Sequence, residues 1–148
     1  VRGFQYALQK VLDLKTNEKK QAEWILSEAV GDLMTKESQL QQCTADLLHA
    51  REELQRQVDA RASASSLQVW QQYIAYMESQ VDLANERVSA AEANVQNKQG
   101  ELAVRMTDEK VWTKAREKAE AQFNQQVAAW EQNELDELAT VRYHMAAR

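Results

Sequence analysis

The sequence contains no proline and only three glycines in 148 residues. These are the residues that most reliably stop a helix, so long helices meet few natural obstacles here. A single cysteine, Cys43, excludes an internal disulfide and fits a reducing compartment. No apolar run approaches the roughly 18 residues that a membrane span requires. Concentrated basic charge is missing too. The 18 Lys and Arg are interspersed with 23 Asp and Glu, for a formal net charge of −5, and this argues against nucleic acid as a partner. There is no glycine-rich phosphate loop. His49 and His144 stand apart from any Cys or carboxylate cluster at ligand spacing, so no metal, cofactor or catalytic centre is expected. Val1-Arg2-Gly3 leads straight into a helical pattern, so no secretory signal is expected and the chain reads as cytoplasmic.

What is abundant is Ala, Gln, Glu, Leu, Lys and Arg, the strong helix formers. They are organised around a ladder. Leu26, Leu33, Leu40, Leu47 and Leu54 recur every seventh residue, with Ala22, Ala29, Lys36, Cys43 and Ala50 on the intervening seam. This alternation of fours and threes keeps one narrow stripe of a helix against a partner helix. Such a stripe is too narrow to fill a globular core, so a second long helix is required.

The same chain supplies one. Leu67, Trp70, Ile74, Met77, Val81, Ala84, Val88, Ala91, Val95, Lys98 and Leu102 form a second seam. Between the two lies Asp59-Ala60-Arg61-Ala62-Ser63-Ala64-Ser65-Ser66, whose serines compete for backbone hydrogen bonds and favour turns and caps. Ser65 or Ser66 is the expected N-cap. Laid antiparallel, the seams match Leu26 with Leu102, Leu33 with Val95, Leu40 with Val88, Leu47 with Val81 and Leu54 with Ile74. The neighbouring positions put Cys43 against Ala84, Ala50 against Met77 and Lys36 against Ala91, and the reversal then falls inside the serine stretch. The expected fold is all-α: an elongated antiparallel two-helix coiled-coil hairpin, monomeric alone, in one domain over 1–148. Helix 1 is expected at about 4–58, the turn at about 59–66 and helix 2 at about 67–145.

Two places break the pattern. After Leu102, Arg105 and Glu109 occupy expected seam sites while Met106 and Trp112 offer a shifted stripe, which reads as a stutter. The stripe resumes at Ala119, Phe123, Val127, Trp130, Leu138, Val141 and Met145. In the antiparallel register Phe4 faces position 124, so the rest of helix 2 overhangs without a partner. An exposed apolar stripe of this kind marks a partner surface. Glu131, Glu134, Asp136 and Glu137 lie alongside it, and by composition they read as a solvated helical face. Lys10, Lys15, Lys19 and Lys20 near the start read the same way. Trp70 and Trp112 belong to the seam; Trp24 lies off the ladder and Trp130 lies on the overhang.

Three segments in order resemble the FliJ family of the bacterial flagellar type III export apparatus. They are Phe4-x-Tyr6-x-Leu8-Gln9-Lys10-Val11-Leu12-Asp13-Leu14-Lys15, then Val69-Trp70-Gln71-Gln72-Tyr73-Ile74, then Leu135-Asp136-Glu137-Leu138-Ala139. The resemblance implies a hairpin similar to the gamma subunit of rotary ATP synthases. It also implies a soluble stalk-like adaptor that binds the hexameric export ATPase, the cytoplasmic domain of the export gate and export chaperones on the cytoplasmic side of the basal body. Matched by position, the gate contact falls on Gln39, Cys43, Asp46, Ala50, Tyr73, Met77, Gln80 and Ala84, with Asp46 and Ala50 where tyrosines occur in the family. The ATPase contact is expected on Phe4, Leu8, Trp130, Glu134, Leu135, Asp136, Glu137 and Leu138. The competing expectation is a generic structural coiled-coil spacer that assembles into higher-order homo-oligomers.

Overall fold

The computed structural model describes residues 3–147, so the opening Val1-Arg2 lies outside the described residues. Two α-helices, α1 (Gln9–Asp59) and α2 (Ala64–Ala146), pack as an antiparallel hairpin, and there is no strand among the described residues. Helical backbone begins at Gln9, later than the apolar periodicity that starts at Phe4. No polar side chain is available to cap α1, because Leu8 stands at the position preceding it.

The reversal is compact because α1 ends in a Schellman motif. Arg61 N–H donates to the Val58 carbonyl at 3.0 Å, and Ala62 N–H donates to the Gln57 carbonyl at 2.9 Å. Arg61 takes the left-handed conformation, φ 56°, that this motif usually gives to glycine. Ser63 follows at once and caps α2: its Oγ accepts from the Ser66 backbone N–H at 3.3 Å. The sequence expectation of a cap at Ser65 or Ser66 is corrected on this point. The left-handed residue reverses the chain in so few residues that the first serine after it already stands at the helix start.

An L-residue in the left-handed region costs roughly 1–2 kcal/mol, and glycine gives back part of that saving through unfolded-state entropy. Arg61→Gly is therefore expected to raise stability by about 0.5–1 kcal/mol, read as a higher urea midpoint at unchanged slope.

The chain divides into two compact units. The turn unit, Gln21–Ala103, holds most of the fully buried apolar residues: Ala29, Leu47 and Ala50 from α1, and Met77, Ala84, Ala91 and Val95 from α2. The other members of both expected seams within it, from Ala22 to Leu54 and from Leu67 to Leu102, are half-buried. Ala50 and Met77, matched across the helices by the sequence register, are both buried, and the flanking Arg51 Nη2 meets Glu78 Oε1 at 3.1 Å.

The terminal unit, Val1–Lys20 with Val104–Arg148, is built differently. Leu12 is its one fully buried apolar residue among those described. Phe4 and Phe123 rings lie 5.7 Å apart at 49°, and the Arg116 guanidinium sits 5.5 Å from the Phe4 ring centroid. Val11, Trp112 and Ala119 are half-buried, and several polar links also cross the helices. At the expected stutter the outcome is mixed: Met106 is 52% exposed and Trp112 half-buried, while of the charged seam sites Arg105 is exposed and the Glu109 side chain only 19% exposed. Glu109 can stay at its seam position because α1 offers Lys19 opposite it, Nζ to Oε1 at 2.9 Å.

Candidate functional sites

The first candidate is the far end of α2. From Glu131 to Ala147 every residue is exposed, including Leu135, Leu138, Val141 and Met145, and Trp130 just before them is 51% exposed. The Phe4–Phe123 ring contact lies before this segment. Glu134, Asp136 and Glu137 lie on the same exposed segment. Asp136 Oδ1 accepts from Gln132 Nε2 at 3.0 Å, a bond along the helix that leaves the rest of the carboxylate to solvent. Of the two N-terminal residues expected to belong to this surface, Leu8 is exposed and Phe4 is half-buried against Phe123. An amphipathic helix end with bare apolar groups beside acids has the means to enter an apolar cavity with basic walls.

The second candidate lies near the reversal, inside the turn unit. An open concavity there is lined by Asp46, His49, Ala50, Arg56, Trp70 and Tyr73. Trp70 and Tyr73 meet edge to face, with centroids 6.0 Å apart at 86°. Position matching put eight residues on this patch, and the structure separates them by accessibility. Gln39 and Tyr73 are exposed; Cys43, Asp46 and Gln80 are half-buried; Ala50, Met77 and Ala84 are buried in the seam at 3%, 6% and 6%. Of the buried three, Ala50 lines the concavity. Gln39 and Tyr73 are open to solvent, and Cys43, Asp46 and Gln80 are partly so. Trp70 and His49, which line the same concavity, were not singled out by the sequence for this surface. Trp70 has the periodicity of a seam residue, and periodicity does not reveal that one ring edge borders an open hollow.

The ion pairs of the terminal unit complete the electrostatic picture. Lys15 Nζ meets Asp108 Oδ2 at 3.0 Å, Lys19 Nζ meets Glu109 Oε1 at 2.9 Å, and Arg105 Nη1 meets Glu18 Oε2 at 3.1 Å. Arg116 Nε donates to Gln9 Oε1 at 3.0 Å. The reading of Lys15 and Lys19 as part of a solvated basic face is thus corrected, since both reach across to α2. The signal lay in α2, where Asp108-Glu109 interrupts the seam. The hydrogen bond from Lys19 holds the Glu109 carboxyl below the usual carboxylate range, although burial pushes it the other way and Thr16 and Lys20 add to the lowering. The bond to Asp108 raises the Lys15 ammonium above its ordinary value, with Glu18 adding to the rise and burial and Arg105 opposing it. Among the described residues no helix is long and apolar enough to cross a membrane, and no group of His, Cys, Asp and Glu is placed to hold a metal ion.

Comparison with known proteins agrees with this architecture. No curated protein matches the chain's sequence. A solved structure described as a YscO homolog from Chlamydia trachomatis superposes with a TM-score of 0.67 at 20% identity, covering 97% of each chain. At that identity the likeness establishes the two-helix fold. The family model described as flagellar FliJ protein matches residues 4–148, which spans α1, the reversal, α2 and both candidate surfaces. The chain belongs to the flagellar FliJ protein family.

Proposed function

We propose that this chain is a non-enzymatic, cytoplasmic stalk and adaptor of the flagellar type III export apparatus. It binds the hexameric export ATPase through its terminal end and promotes ring assembly and activity. It meets the export gate near the reversal and works alongside export chaperones, itself a monomer until it docks. The observation that carries the reading is the uncovered end of α2, where Trp130, Leu135, Leu138, Val141 and Met145 stand exposed beside Glu134, Asp136 and Glu137. Family membership supplies the apparatus, and this surface supplies a means of entering a ring. For the gate, the accessible part of the patch is Asp46 and Tyr73 with Gln39.

Mixing the purified chain with the flagellar export ATPase tests this directly. The expected result is more hexameric rings by electron microscopy and faster ATP hydrolysis than with the ATPase alone. A chain that leaves both unchanged, and instead forms large homo-oligomers, is a structural spacer.

A further inference from the structure

The two units are closed by different forces, and this difference has a consequence for motion. In the turn unit seven fully buried apolar residues line the seam, and the ion pair that crosses between its helices, Arg51–Glu78, has both side chains more than half exposed. In the terminal unit, Leu12 is the buried apolar residue among those described, and Lys15–Asp108, Lys19–Glu109 and Arg105–Glu18 bridge the helices within three turns. Glu109 bears the clearest mark of this exchange. One carboxylate oxygen receives Lys19, and the other, Oε2, is buried without a hydrogen-bond partner. A leucine at the same seam position would have buried apolar area and left nothing unsatisfied.

We infer that the terminal unit is an electrostatic clasp, which opens locally under salt or acid while Gln21–Ala103 stays paired. Apolar burial is insensitive to screening, whereas charge pairing weakens as the Debye length falls from about 10 Å at 0.1 M salt to about 3 Å at 1 M. Regions with few buried contacts open independently of the rest. The groups set against Glu109 are Lys19 and Lys20 with Thr16 on α1, and on its own helix the neighbouring Asp108, itself bound to Lys15. The Glu109 carboxyl is held low when the clasp is shut. Its contribution is therefore present above its unfolded value and is lost as pH falls through the lower, folded one. Lys15 is raised, so its contribution is present below its unfolded value and is lost as pH rises through the higher, folded one. The clasp is tightest between these limits. Opening uncovers Trp112, Ala119 and Phe123, half-buried in the closed state, and so lengthens the apolar stripe that continues through Val127 to Trp130.

Amide hydrogen exchange on the full chain, read by mass spectrometry without any partner, tests the clasp separately from the proposed function. Peptides from 9–20 and 104–123 are expected to exchange at least about fivefold faster at 1 M than at 0.05 M NaCl, measured relative to peptides from 29–95. Glu109→Gln, which keeps the shape and removes the charge, is expected to speed the same peptides at low salt and to reduce their salt response. Ordinary fraying of helix ends gives fast exchange that salt does not change. A ratio between the two sets of peptides that is unaffected by salt and by Glu109→Gln overturns the inference.

Discussion

Leu47→Ala is expected to destabilise the hairpin by about 2–4 kcal/mol, while Leu48→Ala, one residue away, changes stability by less than about 0.5 kcal/mol. The two residues are chemically identical and share a helix, so helix propensity cancels between them. They differ in facing: Leu47 is 7% exposed on the seam and Leu48 is 57% exposed on the outer surface. Truncating Leu47 removes buried methyl groups and leaves a void that two helices close only partly, because a seam has neighbours on one side and solvent near its edges. That geometry puts the loss below the upper end of the range seen in globular cores. Urea titration followed by helical circular dichroism measures both variants. Equal losses at the two positions would mean that the leucine ladder is not what holds the turn unit together.

The contrast between these leucines also shows how much of the fold was legible beforehand. A seven-residue repeat states which face is inward, and every expected seam position from Ala22 to Leu54 and from Leu67 to Leu102 is indeed buried or half-buried. The antiparallel match was legible for the same reason, since two seams of similar length flank one polar break. The reversal itself was not. Arg61 in the left-handed region and Ser63 as the cap depend on one dihedral angle, and a stretch with three alanines and three serines between residues 60 and 66 carries no glycine to announce it. Glu109 misled for a related reason. A charge at a seam site looks like a break in the pattern until its counter-charge, Lys19, is placed opposite by the fold. The candidate surfaces divide along the same line. The overhang was readable by counting residues, because it is what remains when a shorter helix runs out. The hollow edged by Trp70 and Tyr73 needed the positions of both helices.

Removing residues 128–148 is expected to abolish most of the stimulation of the export ATPase while leaving a folded, helical chain. The segment removed makes no contribution to the buried seam: Trp130 and every residue from Glu131 to Ala147 are exposed, and the contact that closes the terminal unit, Phe4 with Phe123, lies before the cut. Helical signal should fall only in proportion to the residues lost, and the urea midpoint should stay within about 0.5 kcal/mol of the full chain's value. The deletion takes away Trp130, Leu135, Leu138, Val141 and Met145 together with Glu131, Glu134, Asp136 and Glu137, which is the α2 part of the surface proposed to enter the ring and leaves Phe4 and Leu8 in place. Gate binding should survive, because Asp46 and Tyr73 belong to the turn unit and the deletion does not touch them. This pairing of outcomes separates docking from folding: a chain damaged in its fold would lose both functions. Weakening only the charges, with Glu134→Gln, Asp136→Asn and Glu137→Gln together, should reduce stimulation less than the deletion does and make what remains less sensitive to salt. If the truncated chain stimulates hydrolysis as well as the intact one, the uncovered end of α2 is not the docking end, and the ring must be engaged through a different face.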